Sequence, residues 1–387
     1  REVATGELVR GKLLYEKQNL AFGELLKVLE PSAERVAPPC EYFGACGGCD
    51  LQHLSIEAQR RAKLEMISTM LKHQAGVEPA DEVRILGSDL PAFNYKRRIT
   101  LHLNKGGELG FFQRKTRKVI DMRECMLSTP LINQCIEQLQ PFKVQLAPEF
   151  FEVFIEELED QAHLTFIVPP HKRFAGRDFR PALSEVRKIF PFLRVLYREE
   201  LLFLQQNFEE IDPSDLENLP VARFSQGNAA GNDLMVKKVL EYVDTEEVMD
   251  LYSGAGNFAI PLAQKGHKVV AVEVDKVLHA SALAQASELG LSEQIEFIRK
   301  SCEKFAKKGE FSPTVVLDPP RCGAQLVAEK LHPDATKKII YVSCSLPTSC
   351  RDIKILCERG FRLQSVEFID MFAQTHHVEL ISVLVAE

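Results

Sequence analysis

The chain has 387 residues, enough for two or three domains and a substantial core. Its composition, 45% hydrophobic and 27% charged, is ordinary for a globular protein, and no apolar run is long enough to span a membrane. The net charge of −7 argues against a generally basic nucleic-acid-binding chain, so any such surface must be a local patch. Ten cysteines without a secretion signal suggest metal binding or catalysis rather than a disulfide framework.

The N-terminal residues contain two β-patterned segments, 7–14 and 22–29, followed by proline breaks. Two strands do not make a stable domain alone. The first residues resemble neither a signal peptide nor a start methionine. We therefore expect residues 1–30 to be the end of a small β-barrel whose beginning lies outside this sequence.

Three cysteines follow within ten residues, Cys40, Cys46 and Cys49, and glycines between them let the backbone wrap closely around an ion or cluster. Three thiolates need a fourth ligand, which is the next cysteine, Cys125, or alternatively His53. Structural zinc usually uses two paired C-x2-C arms, so one triad and one distant cysteine favour an iron–sulfur cluster of the 4Fe-4S type. Zinc, or three buried cysteines without a ligand, are the alternatives.

A helix is predicted at residues 55–75, with Ser55 as N-cap and Gly76 as stop. Residues 93–123 then hold nine Lys or Arg and two acids, a local charge of +7, with four aromatic residues interleaved. Alternation around Lys105-Gly106-Gly107 predicts a β-hairpin. This segment is typical of a surface for nucleic-acid phosphates and bases, and a solvated sheet face is the alternative.

Between residues 130 and 212 helical and strand patterns alternate. Helices are predicted at 131–139 and 181–190, strands at 151–158 and 163–168, a hairpin at 193–205 and a linker at 211–213. A loop with Pro and Gly carries a second basic cluster, which consists of His171, Lys172, Arg173, Arg177 and Arg180.

Residues 248–275 predict a strand, a turn containing Gly254 and Gly256, a helix, and a second strand that ends in Glu273. Glycines let a ligand approach the backbone, the helix N-terminus offers free N–H groups, and a carboxylate there accepts from ribose hydroxyls. The third glycine of a dinucleotide fingerprint is absent, so the turn favours S-adenosylmethionine in an open α/β methyltransferase. A βαβ unit without a ligand is the alternative.

The pattern continues with helices at 230–242 and 277–290 and strands at 295–298, 314–317, 339–345, 363–368 and 378–385. Asp318 follows one of these strands and Cys344 lies at the end of the next. Ligands of open α/β sheets bind beyond the carboxyl ends of the strands, so both side chains are predicted to face the cofactor. Gln226 and Asn228 precede a helix, where they either cap it or face the cofactor.

A cysteine beside a methyl donor suggests a particular reaction. Carbon 5 of a pyrimidine is a poor nucleophile, but a thiolate that adds to C6 makes an enolate and activates C5 to take the methyl group. A general base must then remove the C5 proton so that the thiolate leaves. Cys344 and Glu379 are the predicted nucleophile and base; a buried small residue and a surface carboxylate are the respective alternatives.

The motifs CEYFGACGGCDLQHL, FSQGN, DLYSGAGNF, LDPPRCG, YVSCS and HHVEL resemble those of the RNA uracil-5-methyltransferase family, and the resemblance covers nearly the whole chain. It implies a Rossmann-like class I α/β methyltransferase domain at 213–387, a central α+β domain with an iron–sulfur cluster at 34–212, and a truncated TRAM β-barrel at 1–33.

The resemblance also implies a role for each residue of the site. Cys344 is the nucleophile and Glu379 the base. The ligands implied for the 4Fe-4S cluster are Cys40, Cys46, Cys49 and Cys125. The residues implied for S-adenosylmethionine are Gln226, Tyr252, Gly254, Gly256, Asn257, Glu273 and Asp318, of which Asp318 also lies at the uracil.

Two departures from the family pattern concern local loops. Ser345-Leu346-Pro347 stands where the family has Asn-Pro after the nucleophile, and Lys300-Ser301-Cys302 stands where an acid or amide often contacts adenine. Within the family, the cysteine block resembles that of the ribosomal RNA enzymes, which implies a uridine of 23S ribosomal RNA as substrate. The alternatives are a transfer RNA uridine, RNA cytosine-5 methylation, and a non-catalytic iron–sulfur RNA-binding protein. We expect a cytoplasmic monomer without membrane association, in which the cluster is structural or positions RNA.

Overall fold

The computed structural model describes residues 2–17, 20–79, 82–170, 178–198, 200–212, 226–308 and 310–387. The chain forms two compact units. The first comprises Arg1–Gln59, Pro91–Leu219 and Ala373–His376, and the second comprises Arg60–Leu90, Pro220–Phe372 and His377–Glu387. No helix in these described ranges is long and apolar enough to cross a membrane.

The strands, in chain order, are β1 (Leu8–Lys17), β2 (Leu20–Glu30), β3 (Arg84–Leu86), β4 (Arg98–Leu103), β5 (Leu109–Phe112), β6 (Val119–Asp121), β7 (Glu152–Leu158), β8 (Gln161–Ile167), β9 (Phe192–Tyr197), β10 (Glu200–Gln206), β11 (Glu209–Ile211), β12 (Glu247–Leu251), β13 (Lys268–Glu273), β14 (Ile295–Arg299), β15 (Thr314–Leu317), β16 (Lys338–Ser343), β17 (Phe361–Ile369) and β18 (Glu379–Ala386).

The helices are α1 (Ile56–Met70), α2 (Pro130–Leu139), α3 (Lys143–Leu146), α4 (Arg180–Leu183), α5 (Val186–Ile189), α6 (Ala229–Tyr242), α7 (Ala259–Gln264), α8 (Lys276–Glu288), α9 (Cys302–Ala306), α10 (Gln325–Ala328) and α11 (Leu346–Glu358). A π-helical turn, Leu71–Ala75, continues α1 to the predicted stop at Gly76, which adopts the left-handed conformation. The predicted cap Ser55 accepts a hydrogen bond from the Ala58 amide at 3.2 Å.

In the first unit, the two predicted β segments form β1 and β2, which pair as an antiparallel hairpin. Every residue of β1 is exposed, including Leu13, Leu14 and Tyr15. The stacking of the Tyr15 and Phe22 rings, with centroids 4.6 Å apart, joins the two strands. The hairpin therefore buries almost none of its own apolar surface.

The remainder of the first unit is built on an eight-stranded sheet in the order β11-β10-β9-β8-β7-β4-β5-β6, in which β8 and β9 pair in parallel. Helix α2 covers it, and the buried side chains Ile132, Ile136 and Leu139 pack into the same core as Leu101 and Val153 of the strands. Burial of these apolar side chains stabilises the fold of the first unit.

The basic segment 93–123 forms the predicted hairpin, β4–β5, and extends it with β6. The turn is shaped by Asn104, whose side-chain oxygen accepts from the amides of Gly106 and Glu108 at 2.9 and 3.0 Å. The predicted helix at 181–190 is wrong in extent, because the chain makes two separate turns, α4 and α5, on either side of Ser184 and Glu185.

The second unit has an eight-stranded sheet in the order β14-β13-β12-β15-β16-β18-β17-β3. The first five strands are parallel, and β18 runs antiparallel to both β16 and β17. All four residues of β15 are buried, as expected for a strand covered on both faces. The sequence therefore predicts the central strands correctly as an open Rossmann-like α/β sheet.

Alternation along the central strands divides the core between the two faces of this sheet. Val315 and Leu317 pack with α11 on one face, whereas Val316 packs with α6 and α7 on the other. Four of the described elements of this unit were not anticipated from the sequence. They are β3, which pairs in parallel with β17, the short helices α9 and α10, and α11, which begins two residues after Cys344.

A buried ion pair joins α1 to the residue after β17. The Lys63 ammonium donates to Asp370 at 2.9 Å, both side chains are 2% exposed, and the Arg60 guanidinium donates to the second carboxylate oxygen at 2.9 Å. Lys63 also donates to the carbonyl of Phe372 at 3.1 Å. Burial lowers the pKa of Lys63, and the neighbouring Asp370 offsets part of this effect.

We expect Lys63→Ala to lower the stability of the protein by about 2–4 kcal/mol, because it leaves the buried Asp370 carboxylate with Arg60 alone. Thermal unfolding of the full chain measures the loss as a fall in Tm. The matched control is Lys72→Ala, which breaks an exposed pair with Glu78, and should leave Tm unchanged. Equal Tm values for the two variants would contradict the role given to the buried pair.

Candidate functional site

The candidate site lies in the second unit, at the carboxyl ends of four neighbouring parallel strands. Glu273 ends β13, Tyr252 follows β12, Asp318 follows β15 and Cys344 follows β16. The strands pair in the order β13-β12-β15-β16, so these residues meet at one edge of the sheet. The arrangement agrees with the expectation from the sequence.

Glu379 reaches the same edge by a different route. It is the first residue of β18, whose antiparallel register pairs Leu380 with Ser343, the last residue of β16. One further step along this register sets Glu379 opposite Cys344. The side chain is 5% exposed, so the alternative of a surface carboxylate is excluded.

The Gly-rich turn after β12 adopts backbone angles that glycine favours. Gly254 and Gly256 have φ of +55° and +90°. A Cβ at Gly256 would come within 2.7 Å of the Ile260 side chain, whereas nothing lies within 4 Å of a Cβ position at Gly254. Gly256 is thus required for packing, and the space above Gly254 is open for a ligand.

Glu273 is tied to this turn by its carboxylate. One oxygen accepts from the Gly254 amide at 2.9 Å and the other from the Asp275 amide at 2.7 Å. Each oxygen retains a further lone pair for an additional donor such as a ribose hydroxyl. The carboxylate therefore fixes the turn and remains able to accept from a ligand.

The other predicted cofactor residues surround the turn with polar groups. The amide side chains of Asn257 and Asn232 donate to each other at 2.9 and 3.0 Å. The Tyr252 hydroxyl donates to Glu303 at 2.9 Å. Gln226, partly buried, lies before α6; Phe224 and Ser225 of the same motif lie outside the described residues.

Asn228 resolves one of the alternatives left open by the sequence, since it caps α6. Its side-chain oxygen accepts from the Gly231 amide at 3.0 Å, and its amide nitrogen donates to the carbonyl of Met371 at 2.9 Å. The Lys300-Ser301-Cys302 segment differs from the family pattern. Here Ser301 caps α9, and the Cys302 sulfur accepts a hydrogen bond from the Tyr252 amide at 3.1 Å. This segment is therefore a structural support of the turn.

The surroundings of Cys344, Asp318 and Glu379 raise the pKa values of all three groups, which favours their protonated forms. Burial raises the pKa of the Cys344 thiol, and the carboxylates of Glu379 and Asp318 raise it further, while Arg321 lowers it. Burial raises the pKa of Asp318 to about 7. Burial, with the charge of Asp318, raises the pKa of Glu379 well above its usual range. The thiol and both carboxyl groups thus form one coupled cluster.

A third carboxyl group, Asp250 in β12, was not singled out from the sequence. It is fully buried, and burial together with Asp318 and Glu273 raises its pKa well above the usual range. Its position as the first residue of the motif DLYSGAGNF was the available signal. Asp250 is buried beneath the turn, where it interacts electrostatically with Asp318 and Glu273.

The four cysteines predicted to bind a cluster lie in the first unit, and none forms a disulfide. Mutual repulsion contributes to raising the pKa values of Cys40, Cys46 and Cys49, with Cys125 acting on all three, although burial is the larger cause. In the part of the chain that the structure describes, no three His, Cys, Asp or Glu side chains are grouped so that they could hold a metal ion. The cluster therefore stays a prediction.

The donors present are nevertheless of the kind that an iron–sulfur cluster takes. The Gly48 amide donates to the Cys46 sulfur at 3.4 Å, a contact of the type that supports a ligating sulfur. His53, the alternative ligand, is buried and lies within 3.3 Å of the Val3 carbonyl through its Nε2 atom. This contact favours a structural role for His53.

The basic segment 93–123 combines structural and exposed charges. Arg97 pairs with Glu157 at 3.3 Å, and Arg114 donates to the Cys49 carbonyl and lies 3.5 Å from Asp50. By contrast, the loop after β5 exposes the basic residues Lys115, Arg117 and Lys118. Only part of the predicted basic surface is therefore available to a nucleic acid.

Of the second basic cluster, His171, Lys172, Arg173 and Arg177 lie outside the described residues. Arg180 pairs with Glu210 at 3.2 Å.

Comparison with known proteins agrees with this geometry. Residues 214–387 match the family model described as tRNA (Uracil-5-)-methyltransferase. Over 403 aligned residues the chain is 31% identical to the 23S rRNA (uracil(1939)-C(5))-methyltransferase RlmD of Vibrio cholerae, covering 98% of this chain and 89% of the relative. It is 30% identical, over 419 residues and with the same coverage, to the protein of that name in Francisella tularensis subsp. novicida.

Among solved structures, the tRNA (uracil-54, C5)-methyltransferase of Pyrococcus abyssi, in complex with S-adenosyl-L-homocysteine, matches with a TM-score of 0.72 at 24% identity. The match covers 99% of this chain and 94% of that one, and it supports the methyltransferase fold. The identity of 31% over nearly the whole chain shows that the chain belongs to the RNA uracil-5-methyltransferase family and is an enzyme of that class.

Proposed function

We propose that the protein transfers a methyl group from S-adenosylmethionine to C5 of a uridine in 23S ribosomal RNA, through a covalent bond between Cys344 and C6. The observation that carries the proposal is the convergence of Cys344, Asp318 and Glu379 at one edge of a sheet, next to a Gly-rich turn. The substrate follows from the two relatives, which are named for 23S rRNA and match almost the whole chain.

The cofactor is proposed to bind at the turn after β12. Its contacts would come from Gln226, Tyr252, Gly254, Gly256, Asn257, Glu273 and Asp318. The open space at Gly254 and the spare acceptor capacity of Glu273 support this assignment. When bound, S-adenosylmethionine supplies a methyl group on a positively charged sulfur and leaves as S-adenosylhomocysteine.

The residues of the chain carry the remaining chemistry. Cys344 reacts as the thiolate, and its sulfur forms a bond to C6, which places the electrons of the C5–C6 double bond on C5 and the carbonyl oxygen. After C5 has gained the methyl group, Glu379 accepts the C5 proton. The electrons of that C–H bond re-form the double bond as the S–C6 bond breaks, which regenerates the thiolate and gives 5-methyluridine.

The raised pKa values of Cys344 and Glu379 predict the pH dependence of this reaction. Both groups must be ionised to act, and both are held protonated by burial. We therefore expect kcat/KM for RNA to rise as the pH increases from 6 to 9. Initial rates at saturating cofactor measure the profile. A rate that is flat or falls over this range would contradict the assignment of these groups.

Cys40, Cys46, Cys49 and Cys125 are proposed to hold a 4Fe-4S cluster. The support is the spacing of three cysteines within ten residues, the contribution of Cys125 to the raised pKa values of all three, and the amide that already donates to the Cys46 sulfur. When bound, the cluster would link residues 40–49 to residue 125 and stabilise this part of the first unit, in a structural or RNA-positioning role. Iron and acid-labile sulfide in anaerobically purified protein distinguish this cluster from zinc.

The domain assignment is likewise a proposal: a TRAM-like segment at 1–33, a central RNA-binding domain at 34–212 and a methyltransferase domain at 213–387. The exposed apolar side chains of β1 support the first of these, because a hairpin of this kind needs further strands to pack on.

We propose that Lys115, Arg117 and Lys118 contact RNA phosphates, and that the enzyme acts as a monomer.

Transfer of radiolabelled methyl groups to unmodified RNA tests the function directly. Transcripts of 23S rRNA should accept about one methyl group each, and mapping should find 5-methyluridine, with the uridine of the relatives' name as the first position to examine. Transfer RNA transcripts and an rRNA with cytidine at the mapped position are the controls. Transfer to tRNA alone, or to cytidine, would overturn the proposed substrate.

A further inference from the structure

Helix α11 begins at Leu346, two residues after the nucleophile, and its first two turns contact the loop that follows β15. This loop, residues 318–324, is called here the Asp318 loop. The hydroxyl of Thr348 lies 3.2 Å from the carbonyl oxygen of Arg321 and 3.1 Å from that of Ser345. Thr348 therefore links the Asp318 loop to the chain segment that carries Cys344.

One turn further along, Arg351 makes a second contact with the same loop. Its Nη2 atom donates to the carbonyl of Cys322 at 2.9 Å and to Asp352 Oδ1 at 2.7 Å, and its Nε atom donates to the same carboxylate oxygen at 2.8 Å. The guanidinium group is thus held by Asp352 in the orientation that reaches the loop.

Asp352 completes the arrangement from inside the protein. Its side chain is fully buried, and its Oδ2 atom accepts from the Ala324 amide at 2.6 Å and from the Tyr341 hydroxyl at 2.7 Å. Tyr341 belongs to β16, the strand that ends before Cys344. The carboxylate consequently connects the end of the loop to the strand of the nucleophile.

Gly323 shows how closely the loop and the helix approach each other. Its φ is +78°, and a Cβ at this position would come within 2.5 Å of both Arg351 Nη2 and Asp352 Oδ2. The loop therefore has little freedom to lie elsewhere while these contacts exist.

We propose that Thr348, Arg351 and Asp352 are positioning residues, which hold the Asp318 loop in a fixed position relative to Cys344. The inference rests on the proposed function for its catalytic consequence. The loop carries Asp318 and Arg321, two of the charged groups that face the thiol, and the third is Glu379 from β18. If the loop moves, the charge around the nucleophile changes and Asp318 leaves its place beside the substrate.

Thr348→Val removes the hydroxyl and keeps the shape of the side chain, so it is the main test. We expect kcat for methyl transfer to fall about five- to tenfold, with KM for RNA changed less than twofold. The conservative Thr348→Ser, which retains the hydroxyl, should restore most of the rate. Arg351→Lys, which keeps the charge but loses the two-pronged contact, should resemble Thr348→Val. Lys354→Ala, on the exposed side of α11, is the control and should have no effect.

Alkylation of the thiols gives a readout that needs no RNA. Iodoacetamide labelling, followed by mass spectrometry of the Cys344 peptide, should be about threefold faster in Thr348→Val at pH 8. Displacement of the loop lessens the burial of the thiol and removes Asp318, and these two effects, which raise the pKa of Cys344, outweigh that of Arg321, which lowers it. Cys357, half-buried near the end of α11, reports on the helix itself and should be labelled at an unchanged rate.

Unchanged kcat together with unchanged Cys344 labelling would overturn the inference. Faster labelling of Cys344 and Cys357 alike would also overturn it, since unfolding of the helix would then be the cause. If the wild-type enzyme transfers no methyl group to any RNA, the proposed function fails, and the labelling rates still decide whether the helix holds the loop.

Discussion

Cys344→Ala is expected to lower methyl transfer by about 10⁴-fold or more while cofactor affinity stays within about twofold. Without the thiol, nothing adds to C6, and C5 of the uracil remains a poor nucleophile. Cys344 follows β16, whereas the proposed cofactor residues Gly254 and Glu273 belong to the turn after β12 and the end of β13. The substitution therefore removes the chemistry and leaves these proposed cofactor contacts intact.

Single-turnover transfer with labelled S-adenosylmethionine measures the first effect, and calorimetric titration of the cofactor measures the second. The matched control is Cys322→Ala, which removes an exposed thiol from the neighbouring loop and should retain most of the activity. A Cys344→Ala enzyme with more than a few per cent of the wild-type rate would exclude covalent catalysis by this residue. Loss of cofactor binding would show that Cys344 acts in the donor site.

Glu379→Gln is expected to stop the reaction after methyl transfer. The amide cannot accept the C5 proton, so the bond between Cys344 and C6 cannot be eliminated and a covalent protein–RNA complex accumulates. Turnover should fall about 10³-fold or more. Denaturing electrophoresis with labelled RNA measures the complex, and mass spectrometry of its digest should find a methylated uridine attached to Cys344.

The same substitution has a predicted effect on stability that serves as a control for folding. Burial raises the pKa of Glu379, so the native state holds this proton more tightly than the unfolded state, and stability falls as pH rises above about 4.5. Glutamine does not titrate and keeps the shape of the protonated carboxyl group. Tm of Glu379→Gln at pH 8 should therefore equal or exceed that of the wild type. A marked loss of Tm would mean that a folding defect causes the lost turnover, and a normal turnover would exclude Glu379 as the base.

The central sheet could be predicted from the sequence because its strands are short apolar runs that end in polar residues. β15 is four consecutive buried residues followed by Asp318, and β16 ends just before Cys344. Parallel strands bring such ends together whatever the loops do. The proximity of Asp318 to Cys344 therefore followed from local pattern and a general rule of topology.

Other parts of the site depend on contacts between distant residues and were not predictable in the same way. The position of Glu379 is set by the register of β18 on β16, and a shift of one residue would turn its side chain to the other face of the sheet. Nothing in the sequence distinguishes Asp352 from other helical aspartates, because its role depends on hydrogen bonds with Tyr341 and Ala324. The three-residue strand β3 exists only because β17 offers it an edge.

The charged segments illustrate a further limit. The sequence shows a run of basic residues at 93–123 but cannot show which of them have acidic partners elsewhere in the chain. Arg97 is partnered by Glu157, about sixty residues away, whereas Lys115 and Arg117 are exposed in a loop. The number of basic residues in a segment thus sets an upper limit on the size of a nucleic-acid-binding surface, but it does not identify the residues that form the surface.

The most direct test of the account uses 23S rRNA in which uridine is replaced by 5-fluorouridine. Fluorine at C5 cannot be removed as a proton, so Glu379 cannot complete the reaction and the bond to C6 should persist. The account predicts a denaturation-resistant complex of enzyme, RNA and one transferred methyl group, with the adduct on Cys344. An adduct on another cysteine, or methyl transfer to C5 without any adduct, would contradict it.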